Sequence, residues 1–115
     1  MKVTVRHIGH VSIVDLSGQF TIGEGDCLIR DTINSLLDDD RRNIILNLDK
    51  VSRMDSASIG QLIAMYKAVS EYKGSVKLLN PRGEVYDSLL MTKIGDLFES
   101  FKDENEALVS FRIVP

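Results

Sequence analysis

The sequence predicts a single α/β domain: a mixed, mostly parallel sheet of four to five strands with helices packed on it. Three observations carry that expectation. Ile44, Ile45, Leu46 and Leu48 form a short, nearly continuous apolar run, the pattern of a strand covered on both faces as in a parallel sheet. Ile59, Leu62, Ile63, Tyr66 and Val69 then recur at helical spacing, which makes the next element an amphipathic helix. Finally, strand-like and helix-like segments alternate along the rest of the chain after an N-terminal pair of strands, which implies a layered α/β arrangement.

Taken in order, Lys2 to Ile8 alternates apolar and polar residues, with Val3 and Val5 on one side, and reads as a strand. Val11 to Leu16 gives a second, and Gly9-His10 between them signals an antiparallel hairpin turn. From about Glu24 to Asp39 the apolar positions Leu28, Ile29, Ile33, Leu36 and Leu37 mark a helix. Asp38-Asp39-Asp40 and Arg41-Arg42 follow it. Carboxylates at a helix C-terminus oppose the macrodipole, so this run reads as a solvated stop rather than a metal site. Beyond the central strand and its helix, Lys73-Gly74 is a stop signal and Ser75 to Leu79 a further strand. Asn80-Pro81 breaks the chain before a helix with Val85, Leu89 and Leu90 on one face. Thr92 to Asp96 reads as a connection, Leu97 to Phe101 as a short edge strand, and Glu104 to Phe111 as a terminal helix.

The chemistry concentrates at Asn47 to Gly60, where the central strand runs through a polar loop into the amphipathic helix. The first turn of a helix presents unpartnered N–H groups and the positive end of the macrodipole, and so accommodates an anion. Ser58 fits a capping box with Gln61. Ser56, read as lying just before that cap and beside the carboxylate of Asp55, is less constrained by local structure. A phosphate on its hydroxyl would be met in part by the helix terminus and by water. Serines ahead of helices also serve simply as caps and turn formers, and spacing alone leaves both readings open.

Composition limits the alternatives. The 115 residues suffice for one core and are too few for two. Hydrophobic content of 43% with 27% charged residues is that of a globular chain. A net charge of −3 without a basic stripe argues against nucleic acid or anionic lipid as partner. No apolar run approaches the ~20 residues of a membrane helix, and the charged, alternating N-terminus is not a secretory signal, so a cytoplasmic location is expected. The lone Cys27 is expected to be a packed small side chain. His7 and His10 lack accompanying carboxylates or thiols and read as surface residues near a turn, with no metal or cofactor expected. Phosphate-loop, dinucleotide, zinc and nucleophile-elbow signatures are all missing from the sequence. Catalysis by the chain itself is therefore not expected.

Met54-Asp55-Ser56-Ala57-Ser58-Ile59-Gly60, following Ile45-Leu46-Asn47-Leu48-Asp49, resembles the signature of STAS domains, in particular the bacterial anti-sigma factor antagonists. Val14 to Phe20, with Gly18, resembles the family's second strand and following glycine, and the full length, residues 1–115, fits one STAS-type domain. The resemblance implies that Ser56 is the phosphoacceptor and Asp55 the aspartate preceding it. Ala57 stands where the family usually has a second hydroxyl residue and Ser58 where it has glycine, which makes Ser58 a second candidate acceptor.

The same resemblance implies a partner: an anti-sigma factor that is also a serine kinase, with the ATP bound by that partner, and a serine phosphatase to reset the switch. The implied partner surface comprises Thr21, Gly23, Glu24, Arg53, Asp55, Ser56, Ala57, Ser58 and Gln61. For Thr21, Gly23 and Glu24 a helix-entry turn is the competing reading, and Met54, Ile59 and Leu62 are expected in the core. Other STAS modules bind a nucleotide or small ligand, act as scaffolds, or serve in lipid transport, so a non-switching module is the alternative.

Overall fold

The computed structural model of the chain describes residues 1–21 and 26–112, with Asp26 and Cys27 described by their backbone only. Strands β1 (Lys2–Ile8) and β2 (Val11–Phe20) are followed by helix α1 (Asp26–Asp38), strand β3 (Asn43–Met54) and helix α2 (Ser56–Glu71). Strand β4 (Ser75–Leu79), helix α3 (Glu84–Thr92), a 3₁₀ turn (Ile94–Leu97), strand β5 (Ser100–Phe101) and helix α4 (Glu104–Ser110) complete the order. The five strands form one sheet in the order β1-β2-β3-β4-β5. The hairpin pair β1/β2 is antiparallel, from Lys2↔Ser17 to Ile8↔Val11, and every later pairing is parallel.

Alternation along the strands sends side chains into two cores. Val14, Leu16, Ile44, Leu46 and Leu48 meet Ile29 and Ile33 of α1, Leu62, Met65 and Val69 of α2, and Val85 and Leu89 of α3. On the opposite face Val11, Ile13, Ile45 and Leu79 meet Ala107 and Leu108 of α4, with Phe111 beside them. The central apolar run is thus covered on both sides, as its composition requires. Tyr66 joins the first core edge-on to Phe98, ring centroids 5.6 Å apart and planes at 78°.

Several boundaries differ from the sequence reading. The stretch read as a polar loop after Leu48 is strand: β3 continues to Met54, paired with β2 through Ser17↔Lys50, Gly18↔Val51, Gln19↔Arg53 and Phe20↔Met54. Its polar residues are simply those facing solvent. Strand β4 leaves the sheet at Leu79↔Asn47, after which Asn80 adopts a left-handed φ of 52°. The β3 edge left uncovered is satisfied by side chains: Asp49 N–H donates to Asn47 Oδ1 at 3.1 Å, and Arg82 Nε donates to the Asp49 carbonyl at 3.1 Å. Leu90, assigned to the buried face of α3, is exposed, as is Leu28 of α1. Leu97 closes the 3₁₀ turn instead of opening an edge strand, and only Ser100 and Phe101 pair with β4. Among the described residues helix α1 covers Asp26–Asp38, ending one residue before the expected Asp39, and α4 ends at Ser110 with Phe111 as its cap.

The stop signals behave as their chemistry dictates. Asp40 takes a φ of 60° and its carboxylate pairs with Arg42 at 3.3 Å. Arg41 turns inward, donating to Ser12 Oγ and to the carbonyls of Gly9 and Val11, which ties the end of α1 to the hairpin turn. Gly74 donates to the Val69 carbonyl at the end of α2, and an added Cβ there would lie 2.2 Å from the Arg42 carbonyl oxygen. Only glycine fits that close approach.

Candidate functional site

Strand β3 delivers Met54 into the core and passes straight into the cap of α2. The cap residue is Asp55, in extended conformation at φ −116° and ψ −178°, and the helix begins at Ser56. Asp55 Oδ1 accepts the Ser58 N–H at 2.9 Å, and Ser58 Oγ accepts the Asp55 N–H at 2.8 Å while donating to the Asp55 carbonyl at 2.8 Å. This reciprocal pair is a capping box, built from an aspartate and a serine three residues on. The box expected between Ser58 and Gln61 therefore forms three residues upstream, between Asp55 and Ser58. An aspartate caps at least as well as a serine, and its place immediately after the last paired strand residue fixes the helix start.

That displacement separates the two candidate acceptors. Ser58 is fully buried with its hydroxyl engaged on both sides. Ser56 is exposed at the first helical position of α2, after the cap rather than before it. Arg53 is exposed on one side of the cap; Ala57 is half-buried beyond it. Met54 and Leu62 are buried and Ile59 partly so, packing into the larger core as expected.

The sheet register brings a further predicted residue to this place. Because Phe20 pairs with Met54, Thr21 follows beside Asp55 at the same end of the sheet, half-buried. Gly23 and Glu24 lie outside the described residues, and the side chain of Cys27 does too. Gln61 stands away from the cap, on the rim of a shallow groove of about 360 Å³ between α1 and α2, with Arg30, Asn34, Ala64 and Ala68.

Two polar clusters were not visible in the sequence as clusters. Arg6 donates to both oxygens of Asp15, Nε to Oδ2 at 2.6 Å, and also to Glu104, while Asn47 Nδ2 donates to Asp15 Oδ1 at 2.8 Å. Burial pushes the Asp15 carboxyl up, but the hydrogen bonds from Arg6 and Asn47, with the charges of Arg6 and Lys50, outweigh it and hold the group below its ordinary value. Arg6 is raised in turn, chiefly by its bond to Asp15. The second cluster centres on Lys77, buried beneath α4, which donates to Ser110 Oγ at 2.9 Å and lies 4.2 Å from the Phe111 ring centroid. Both tie α4 to the sheet across long sequence separations, which no local pattern reports. His7 bonds Ser12 Oγ and His10 the Phe111 carbonyl, each at 2.9 Å. Among the described residues no group of His, Cys, Asp or Glu is arranged to hold a metal ion, and no helix is long and apolar enough to cross a membrane.

Comparison with known proteins agrees with this architecture. The chain is 22% identical over 114 residues to the anti-sigma F factor antagonist of Paenibacillus polymyxa, covering 99% of this chain and 97% of that one. An anti-sigma factor antagonist from Mycobacterium paratuberculosis superimposes with a TM-score of 0.85 at 19% identity, over 97% of this chain and 94% of that one. The Bacillus cell fate determinant SpoIIAA in its phosphorylated form superimposes with a TM-score of 0.75 at 20% identity, over 96% of this chain and all of the other. At these identities the superpositions establish a shared fold. The sequence model of the STAS domain matches residues 2–107, nearly the whole chain, and the protein therefore belongs to the STAS domain family.

Proposed function

We propose that this protein is an anti-sigma factor antagonist that works by partner switching. Unphosphorylated, it binds an anti-sigma factor that is also a serine kinase; phosphorylation of Ser56 by that partner releases it, and a serine phosphatase restores it. The chain is the substrate of these enzymes rather than a catalyst, and its site of action is the cytoplasm. The relatives from Paenibacillus polymyxa and Mycobacterium paratuberculosis named as anti-sigma factor antagonists support the reading at the level of the family.

The observation that carries it is the contrast between Ser56 and Ser58. A buried, doubly bonded Ser58 locks the helix start, and the exposed Ser56 hydroxyl stands on that fixed platform at the first helical residue. A phosphate there adds about −1.5 to −2 charges without breaking any bond of the cap. It would sit beside the Asp55 carboxylate in a docking surface formed by Thr21, Gly23, Glu24, Arg53, Asp55, Ser56, Ala57, Ser58 and Gln61, in which Ser58 acts through the cap geometry. A repulsion and desolvation cost of ~3 kcal/mol weakens association more than a hundredfold, which is a switch without refolding.

The test is binding of the host's anti-sigma kinase to wild type, Ser56→Ala and Ser56→Asp, with intact-mass and peptide mapping after incubation with ATP. One phosphate on Ser56, retained binding by the alanine variant under phosphorylating conditions and weakened binding by the aspartate variant are expected. Equal affinity of the two variants, or phosphate on another residue, refutes the reading.

A further inference from the structure

Helix α4 closes over one part of its face of the sheet and leaves the rest open. Ile13 and Ile45, paired with each other across β2 and β3, lie under it. The next two rows of that face, Thr4↔Asp15↔Asn47 and Lys2↔Ser17↔Lys50, are polar throughout and half-buried or exposed. These six residues line an open hollow of about 350 Å³.

Lys50 reaches this face through a bulge. Between Asp15↔Asn47 and Ser17↔Lys50, strand β3 advances three residues while β2 advances two. Strict alternation turns residues three apart to opposite faces; the extra residue turns Asn47 and Lys50 to the same one. Leu48 and Val51, also three apart, both reach the larger core, as the same shift requires. The charge of Lys50 helps to hold the Asp15 carboxyl low, in keeping with an ammonium group on the hollow's side of the sheet.

Strands ~4.8 Å apart set Lys2 and Lys50 ~10 Å from each other with Ser17 midway, and their four-carbon arms are long enough to bring both ammonium groups over its hydroxyl. Among the described residues neither lysine is ion-paired, and the Ser17 and Thr4 hydroxyls have no hydrogen-bond partner. Asp15, the carboxylate in the lining, is already met by Arg6 and Asn47. Lys2, Arg6 and Lys50 outnumber Asp15 and Glu104 here, on a chain whose net charge is −3. Two ammonium groups and a hydroxyl converging from three directions suit an oxyanion with three or more acceptor oxygens, which lysine serves as a point charge. We infer that the Lys2–Ser17–Lys50 row is a binding site for a phosphate group, either free phosphate or that of a small monoester. Thr4 and Asn47, on the adjoining row, lie where the remainder of an ester would rest. An exposed site screened by solvent binds weakly, with a dissociation constant on the order of 5 mM. None of its residues belongs to the Ser56 surface, so this inference does not depend on the switch.

The experiment is a titration of the isotopically labelled full chain with inorganic phosphate, followed by amide resonances in two-dimensional NMR. Phosphate runs from about 0.1 to about 50 mM, with sodium chloride holding the ionic strength constant. Saturating shifts centred on Lys2, Ser17 and Lys50 are expected. Lys2→Gln and Lys50→Gln should each raise the dissociation constant ~3-fold or more and the double variant ~10-fold or more, while Lys67→Gln, on exposed α2 surface, leaves it unchanged. The same spectra report whether each variant is folded, and Ser17→Ala, which keeps both charges, should weaken binding ~2-fold or more. A parallel titration with glycerol 3-phosphate distinguishes the sources: tighter binding assigns the site to an ester, and equal binding to the free ion. Shifts that do not saturate, that spread evenly over the surface lysines, or that survive the double variant overturn the inference.

Discussion

Asp55 and Ser58 hold each other twice: the backbone N–H of each donates to a side-chain oxygen of the other, at 2.8 and 2.9 Å. The pair joins the end of strand β3, held there by β2 alone, to the start of a sixteen-residue helix and leaves the intervening Ser56 exposed. Rigid placement of an exposed group is what a modifying enzyme and a docking partner both need from a scaffold.

Removing one half of that pair should be costly. Ser58→Ala takes away the acceptor of the Asp55 N–H and leaves a small void at a fully buried site. Loss of a cap costs ~0.5–2 kcal/mol, and a buried unsatisfied donor adds to it, so a destabilisation of ~1–2 kcal/mol is expected. Urea denaturation followed by circular dichroism measures it. A change below ~0.3 kcal/mol would show that the capping box contributes little.

The neighbouring serine should behave in the opposite way. Ser56 is exposed at the first helical position, where a negative charge is favoured by ~0.3–1 kcal/mol and the adjacent Asp55 carboxylate opposes part of that gain. Ser56→Asp is therefore expected within ~0.5 kcal/mol of wild type in the same denaturation assay. A markedly unstable aspartate variant would mean that its loss of partner binding reports unfolding instead of charge.

Two glycines make a matched pair. Gly60, in the second turn of α2, has nothing within 4 Å of an added Cβ, so Gly60→Ala should stabilise by ~0.5–1 kcal/mol through helix propensity. Gly74 would drive a Cβ to 2.2 Å from the Arg42 carbonyl and 2.9 Å from Val69 Cγ1, so Gly74→Ala should destabilise by ~2 kcal/mol or more. Thermal melts of the two variants should move in opposite directions. A shared direction would place the end of α2 differently from the geometry described.

The sequence pattern exposes some of these features and hides others for definite reasons. Ile44 to Leu48 and Leu62 to Val69 carry their own periodicity, so the central strand, its helix and the two-sided core follow from the residues alone. Asp49 to Arg53 read as a loop because solvent-facing strand residues are as polar as loop residues; only pairing with β2 tells them apart. The cap lies three residues before the position that spacing suggests, because Asp55 and Ser58 are both good cap formers and the choice rests on where the strand stops. Leu90 joined the apolar face of α3 by type, whereas its exposure depends on what the sheet edge leaves uncovered. The Arg6–Asp15–Glu104 contact spans 98 residues of sequence between Arg6 and Glu104 and has no local signature.

That contact sets a pH dependence. The Asp15 carboxyl is held below its ordinary value by Arg6 and Asn47 against the opposing effect of burial, so the folded state favours its ionised form. Its contribution is present above the unfolded-state value of ~3.9 and is lost as pH falls through the lower folded-state value. Asp15→Asn keeps the shape and an acceptor for Asn47 while removing the charge that Arg6 meets at 2.6 Å. The variant should be less stable than wild type at neutral pH, and the gap between them should close progressively below about pH 4. Arg6, raised by the same partners, stays charged across this range and adds no slope of its own. Urea midpoints for the two proteins from about pH 7 to about pH 2.5 make the comparison, and a gap that stays constant through the acid limb would remove Asp15 from the account of acid stability.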